Sequence, residues 1–523
     1  MCYTVCGKIL YCIRRLPFYR VAAYFMHRIG GKLCKLCVAP LQDQVNRHCL
    51  IKHSFVKENI LMYGFIVLST YAVIMIAVTL LFTKKETTAE GFLAGNHNLG
   101  GIVSALSIAA TWIWAPSLFT SAEKAYTSGL PGLFWFLVPN VLCLFFFIPF
   151  AKKIRKEQPT GISLSEYMYS KYNSKSVKKV YTFELGTLSI LSTAVQLLAG
   201  GKMLSLLTGL PLFATTIILA VIAYSYSQFS GLKASVFTDA LQMVFMLIAG
   251  VSLALCAFQF TGGYENLLKG LSGHTGEFSS LFSKSGFDVF LGFGLPTAVG
   301  LIAGPFGDQS FWQRAFAVNK NKIGKAFGFG AILFGIIPFS MGMLGYMAAG
   351  TGMKITDVSV VNLELIKSLF PSWVLLPFLF MIISGLLSTV DSNLCSFASL
   401  MYSKDKNFNI RKSKAGMIAL LCVSICIANI PGLTVTHLFL MYGTFRASTM
   451  LPTVMTLKGV KLSAKGVYCG VIIALMLGMP MFAYGNIANI AIMKTIGSLT
   501  TVLTSGIAAL IISKLEVQNE TSC

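Results

Sequence analysis

Ala110-Thr111-Trp112-Ile113-Trp114-Ala115-Pro116 lies in the middle of an apolar stretch long enough to cross a bilayer, and it cannot be continuous helix. Pro116 has no N–H to offer the carbonyl of Trp112, and its ring crowds that carbonyl. The carbonyls around Ala110 to Ile113 are therefore free to face a cation. A second interrupted stretch, 286–306, carries Gly292, Gly294, Pro296, Gly300, Gly304 and Pro305. Glycine and proline are common in membrane helices, so neither interruption decides much alone. Their positions decide more, because each opens one of two equal sets of spans.

About 20 apolar residues cross a hydrocarbon core of roughly 30 Å. Thirteen such stretches follow one another: 60–83, 99–126, 131–151, 179–206, 209–229, 234–259, 286–306, 326–350, 370–402, 415–430, 433–457, 466–486 and 488–513. The composition agrees, with 55% hydrophobic residues, 12% charged residues and a mean hydropathy of +0.72. The predicted fold class is an all-α integral membrane protein of about 13 transmembrane helices. Setting aside the first span and the last two leaves five and five. Residues 99–259 form one predicted repeat and 286–457 a second, inverted because five is odd. Span 60–83 is then an accessory helix, 466–513 two C-terminal helices and 514–523 a tail. Inverted repeats place a substrate site near the midplane, between discontinuous helices.

Cationic loops tend to stay in the cytoplasm. Apart from residues 1–59, one alternating set of loops with the tail holds 24 Lys and Arg, Arg314 among them, and the other set only seven. The expectation is a multi-pass protein of the cell membrane, N-terminus outside and C-terminus inside. The net charge of +23 is then mostly topology, and no nucleic-acid partner is required. Residues 1–59 break the pattern, with ten cations against Asp43 and Glu58 and six of the thirteen cysteines. Three readings stay open for them. Cys34 and Cys37, followed by His48, Cys49 and His53, have the look of a zinc knuckle. Tyr19, Ala22, Tyr24 and Phe25 suit an amphipathic helix on the membrane surface. Translation starting at Met62 would make the segment dispensable, and residues 62–523 are expected to insert and transport without it. The other cysteines, scattered through spans and tail, read as packing residues.

Span 370–402 supplies oxygen ligands. Gly385, Ser388 and Thr389 sit at i, i+3 and i+4 and share one helical face. A hard monovalent cation takes such hydroxyls together with exposed carbonyls, although Ser and Thr also bond back to the preceding turn or pack helices closely. Asp239 and Asp391 lie within spans, where a charged aspartate costs about 2.5–3.5 kcal/mol on insertion scales. They are candidates for a second cation or coupling site. Asp239 has an interfacial alternative, a salt bridge to Lys233. Arg446 is an intramembrane countercharge that either aspartate, or neither, meets. The substrate pocket is expected around Trp112, Trp114, Ser117, Gln196, Pro296 and Thr297, where the two interruptions converge. Gln196 equally suits a helix–helix hydrogen bond. Two positions on a helix differ by about 200°, so only one of the two tryptophans is expected to face the cavity.

With these residues in place, the chain resembles the sodium:solute symporter family. Glu90-Gly91-Phe92-Leu93-Ala94-Gly95 resembles the motif ahead of that family's broken first core helix. The stretch Gly231 to Gln242 resembles its fifth core helix, with Asp239 on the acidic position. Asp308-Gln309-Ser310-Phe311-Trp312-Gln313-Arg314 is similar to its cytoplasmic motif, and Leu387-Ser388-Thr389-Val390-Asp391-Ser392 to its eighth core helix. The resemblance implies a leucine-transporter-like fold. It also implies a sodium site built from the carbonyls of Ala110, Ile113 and Gly385 and the hydroxyls of Ser388 and Thr389. Two positions depart from the family pattern: Asn96 stands where many members have arginine, and Ser230-Gly231 replaces a Gly-Gly pair. Thr111 to Ala115, Ser121, Ala125-Tyr126 and Gly132 to Trp135 are locally similar to urea-active transporters, which makes urea the lead substrate.

The expected function is secondary active transport, a small polar solute of the urea, amino-acid, sugar or carboxylate class entering the cell with sodium. Proton coupling on the same fold, or an uncoupled channel or facilitator, is the alternative. No H-E-x-x-H motif occurs and only His437, of six histidines, lies near a span, so an enzyme is not expected. Beyond the sodium ion, no metal or cofactor is expected.

Overall fold

In the computed structural model, residues 66–522 are described, except 67, 404–407 and 489. The chain divides into two units, 1–60 and 61–523. All three readings of the basic leader, and Met62, lie outside the described residues. The described part is helical throughout. Its sheet-like pairing is an isolated parallel bridge between Leu99 and Val318.

Nine described helices are long and apolar enough to cross a membrane. The four remaining expected spans differ for physical reasons. Span 99–126 is broken into Gly101–Trp112, Ala115–Leu118 and the start of Thr120–Glu157. Span 433–457 is broken into Val435–Arg446 and Met450–Lys458. Helix Ile410–Ala428 opens on Arg411, Lys412 and Lys414. Span 60–83 is described only in part, as the short apolar helix Leu68–Phe82.

Helix Thr120–Glu157 bends sharply at Ser128 and Gly129. Gly129 has φ 51°, and a Cβ there would stand 2.5 Å from the carbonyl of Leu271, so the turn needs glycine. The second interruption differs from expectation. Residues Phe290–Gly294 form a π-helical turn that runs directly into Leu295–Ile302, with helical dihedrals at Gly294 and Ala303. The glycines and Pro296 widen the helix here rather than unwinding it. The chain turns extended only at Asp308 (φ −114°, ψ 111°), ahead of helix Gln309–Ala317.

Two helices form the centre. The most apolar window of Lys175–Leu206 is 83% buried, and that of Ser372–Leu400 is 72% buried. Helix Leu232–Phe260 packs against Leu375–Leu400 and Gly101–Trp112, so the broken helix, the acidic helix and the hydroxyl-bearing helix meet. Helices Ala464–Ile487 and Ala491–Ser522 pack chiefly on each other.

Candidate ion and solute sites

Helix Gly101–Trp112 ends because Ile113 (φ −82°, ψ 92°) and Trp114 (φ −113°, ψ 177°) are extended. The next turn restarts at Ala115, with Pro116 among its first residues, where a missing N–H costs nothing. Gln196 closes this break: its Oε1 accepts from Ala115 N at 2.7 Å, and its Nε2 donates to Ser192 O at 3.2 Å. The amide therefore caps the restarted helix, the helix–helix bond left open by its position in the sequence.

Gly385, Ser388 and Thr389 do share a face, and the break lies against it. Ser388 Oγ reaches Ala110 O at 2.9 Å and Gly385 O at 3.2 Å. Thr389 Oγ1 reaches Thr111 O at 3.2 Å, Ile113 O at 3.3 Å and Gly385 O at 3.3 Å. Each hydroxyl has one proton. Two hydroxyl protons thus face four carbonyl oxygens. Ala110 O also accepts from Ile113 N, and Gly385 O lies within a continuous helix. Thr111 O and Ile113 O are therefore the acceptors in surplus, an arrangement that suits a hard cation. Thr111 O joins the cluster: it lies in the expected stretch of freed carbonyls but outside the ligand set that the resemblance implies. Gly385 allows the approach, since a Cβ there would stand 2.9 Å from Leu118 and 3.2 Å from Ile113.

The two aspartates are both fully buried but differently partnered. Asp239 Oδ2 accepts from Arg314 Nη2 at 2.8 Å and from Ser107 Oγ at 2.7 Å, while Thr111 Oγ1 lies 3.4 Å away. Arg314, which hydropathy places among the loop cations, is wholly buried and is the partner of Asp239. Lys233 pairs with Glu86 instead, so the interfacial reading of Asp239 is corrected. A guanidinium compensates Asp239 through Oδ2, while Oδ1 is buried without a partner. Asp391 accepts from Ser235 Oγ at 2.9 Å and has Thr238 and Ser392 beside it, with no cation within 4.0 Å among the described residues. Ser392 links the two aspartates, taking Arg314 Nη2 at 2.7 Å and meeting Thr111 Oγ1 at 3.0 Å. Thr111 therefore joins the acidic network to the oxygen cluster.

Arg446 meets neither aspartate. It is fully buried, donates from Nε to Gly300 O at 2.6 Å, and stands 4.8 Å from the Tyr442 ring, 5.3 Å from Trp112 and 5.8 Å from Trp114. Gly304 and Gly307 make the room: a Cβ at Gly304 would meet Trp112 at 2.4 Å, and one at Gly307 would meet Arg446 at 2.4 Å. Both tryptophans lie on the Arg446 side, their rings stacked with centroids 6.3 Å apart. The 200° argument fails because Ile113, the one residue between them, and Trp114 itself are extended. The two rings nonetheless differ. Trp112 Nε1 donates to Asn140 O at 3.1 Å and its ring packs edge-on to Phe311, whereas Trp114 Nε1 is unpaired and its ring meets Phe439. Trp112→Ala is expected chiefly to lower the unfolding temperature, and Trp114→Ala chiefly to weaken solute binding by about tenfold. Thermal unfolding and solute titration of both variants check this, and equal effects on solute binding would remove Trp114 from the site.

Pro296 and Thr297 share a cleft with Phe439, Gly443 and Arg446. Ser117 is buried with an unpaired hydroxyl, as is Thr297. Glu184, inside span 179–206, is a further buried carboxylate that the reading of the sequence passes over, although an acid within a span is signal enough. Its Oε1 accepts from Thr449 Oγ1 at 3.3 Å.

The motif Asp308 to Arg314 is buried as a whole and acts as a clasp. Gln309 Nε2 donates to Ile162 O and Ser399 Oγ, and Gln313 Nε2 donates to Leu93 O at 2.6 Å and Cys395 O at 3.2 Å. Around Asn96, which adopts φ 59°, the contacts are His97 Nδ1 to Phe316 O at 2.9 Å and Asn319 to Asn98 at 2.7 Å. Burial holds the His97 imidazole below the usual histidine range, and Arg155 Nη2 donates to His97 O at 3.1 Å, so an arginine from another helix reaches this junction.

The profile of the sodium:solute symporter family matches residues 92–430. The chain belongs to that family. Relatives include probable urea active transporter 1 of Schizosaccharomyces pombe, 25% identical over 52% of this chain and 42% of its own length. The urea-proton symporter DUR3 of Oryza sativa subsp. japonica is 22% identical over 77% of this chain and 61% of its own length. The sodium/pantothenate symporter of Escherichia coli is 22% identical over 66% of this chain and 72% of its own length. The chain thus spans about half the length of the first two. Among solved structures, a Na+-coupled sialic acid symporter superimposes with a TM-score of 0.67 at 16% identity, covering 86% of this chain and 98% of that one. The nucleobase-cation-symport-1 transporter Mhp1 gives a TM-score of 0.52 at 15% identity, covering 82% and 96%. These likenesses show the fold, which is leucine-transporter-like as the motifs imply.

Proposed function

We propose that this symporter-family chain carries a small polar organic solute into the cell by coupling it to sodium, in the cell membrane, with its N-terminus outside and its C-terminus in the cytoplasm. The observation that carries the reading is the surplus of acceptor oxygens between the broken helix and helix Leu375–Leu400. Sodium held there by Ala110, Ile113, Gly385, Ser388 and Thr389, with Thr111 added, ties two helices together. It stabilises the conformation in which they touch, and coupling is the difference in sodium affinity between the two conformations. Residues 99–259 and 286–457 would be two repeats interlocked through helix Ile323–Gly350, which packs on Thr120–Glu157 and Gly101–Trp112, with the site between them. A cavity of about 110 Å³ lined by Phe119, Glu123, Lys202 and Asp357 lies on the side assigned to the exterior and suits a route for the solute. Relatives named for urea, pantothenate and monocarboxylates keep the solute within a small polar class. Uptake into proteoliposomes with and without an inward sodium gradient tests the proposal, and uptake indifferent to the gradient would overturn it.

One observation favours a second reading, proton coupling. Asp391 has four hydroxyl neighbours, Ser235, Thr238, Ser392 and Tyr226, and no cation within 4.0 Å among the described residues. A buried carboxylate without a countercharge is stable only when it holds a proton or a bound cation. If it cycles a proton, Asp391→Asn should abolish dependence of uptake on an imposed pH gradient and lower the rate by about tenfold or more. An Asp391→Asn carrier with unaltered gradient dependence would leave sodium as the driving ion.

A further inference from the structure

We infer that the solute is a small carboxylate, held by Arg446. The inference rests on the symport reading and names the substrate class of the same pocket. Arg446 lies near mid-span, between the half-helices Val435–Arg446 and Met450–Lys458, at the level where helix Gly101–Trp112 breaks. Its Nε is satisfied by Gly300, yet Nη1 and Nη2 have nothing beyond the neighbouring Tyr442 hydroxyl, and no carboxylate of the described residues stands within 4.0 Å. Guanidinium groups keep their charge on burial, and a buried charge without an opposite partner is costly. Aromatic faces on three sides offset part of that cost and leave the outer edge of the fork unpaired. Two parallel N–H donors on a planar fork match the two oxygens of a carboxylate.

The surroundings suit the rest of such a molecule. Thr297, whose hydroxyl is unpaired, lines the same cleft as Arg446, and Trp114 offers an unpaired indole N–H nearby. Phe439, Leu301 and Phe482 supply apolar wall. The cleft measures about 10 Å³, room for no more than a water, so the helices must part to admit a solute. Asp308 is engaged on both oxygens, Oδ2 by the Tyr442 hydroxyl at 3.1 Å and Oδ1 by Ser310 N and Oγ at 2.8 and 2.6 Å. Urea, the lead from local resemblance, offers one carbonyl and no charge, and would leave the guanidinium uncompensated.

The test uses the purified full chain in detergent and follows the thermal unfolding midpoint. Propionate and lactate are titrated against propionamide and lactamide, which match them in shape but lack the charge, with urea as a further arm, each in sodium chloride and in choline chloride. The expected result is that the carboxylates raise the midpoint in sodium with apparent affinities at least about tenfold tighter than their amides. In Arg446→Gln that preference should vanish while the shift caused by sodium alone survives. Amides equal to carboxylates, urea alone shifting the midpoint, or no shift from either carboxylate would overturn the inference. If Arg446→Gln fails to fold, the wild-type pairs decide. Carboxylate binding that is identical in choline, with no shift from sodium alone, would uphold the inference and overturn sodium coupling.

Discussion

Arg314→Met should lower the stability of the carrier by about 3–5 kcal/mol, a loss larger than any other single substitution in the ion and solute sites should cause. Both members of the Arg314–Asp239 pair are fully buried, and the guanidinium has four partners: Asp239, Ser392, Ser107 and the carbonyl of Ser310. Removing it leaves Asp239 charged in a dry interior with two hydroxyl donors, far too little to replace water. Removing both charges is a different perturbation, because the cost of the pair's desolvation goes with its attraction. Arg314→Met combined with Asp239→Asn should therefore recover a large part of the loss. The check is a double-mutant cycle on thermal unfolding in detergent, where coupling of roughly 0.5–3 kcal/mol marks an interacting pair. Additive losses would mean that the two side chains act independently, and the buried network would lose its explanation.

That pair also shows where a reading of the sequence stops. Asp239 is legible as an acid inside a span, and Arg314 as a cation after one, but hydropathy assigns the arginine to a loop. Nothing in one-dimensional spacing brings together groups 75 residues apart. What decides it is the extended backbone at Asp308, which turns helix Gln309–Ala317 back into the protein. The oxygen cluster is legible because both its halves are local: a proline-forced break and an i, i+3, i+4 face each carry their own geometry. Thr111 lies in the same break, but the sodium ligand set that the resemblance implies does not include its carbonyl. The second interruption is misjudged because glycine and proline permit both unwinding and a π-turn, and packing chooses the π-turn. The two tryptophans are misjudged for the converse reason: a helical rotation is applied to residues that the break has already freed.

Thr389→Ala should lower apparent sodium affinity by about tenfold or more while leaving solute binding at saturating sodium intact. Thr389 Oγ1 is the atom on which three carbonyls from two helices converge. Without it, Thr111 O and Ile113 O lose their side-chain donor and the site loses a hydroxyl oxygen. A ligand of hydrogen-bond strength lost from a buried site costs about 1–3 kcal/mol, and 1.4 kcal/mol is a factor of ten. Deleting the methyl alone separates ligation from packing. Thr389→Ser keeps the oxygen and should retain affinity within about threefold, because the serine hydroxyl can reach the same carbonyls. Ser388→Ala supplies an independent arm, since its hydroxyl contacts Ala110 and Gly385 only and a loss of similar size is expected. Sodium activation of uptake, measured for all three, reads the site directly. If Thr389→Ala and Thr389→Ser activate alike, the hydroxyl is a helix-packing group, and sodium must bind elsewhere or not at all.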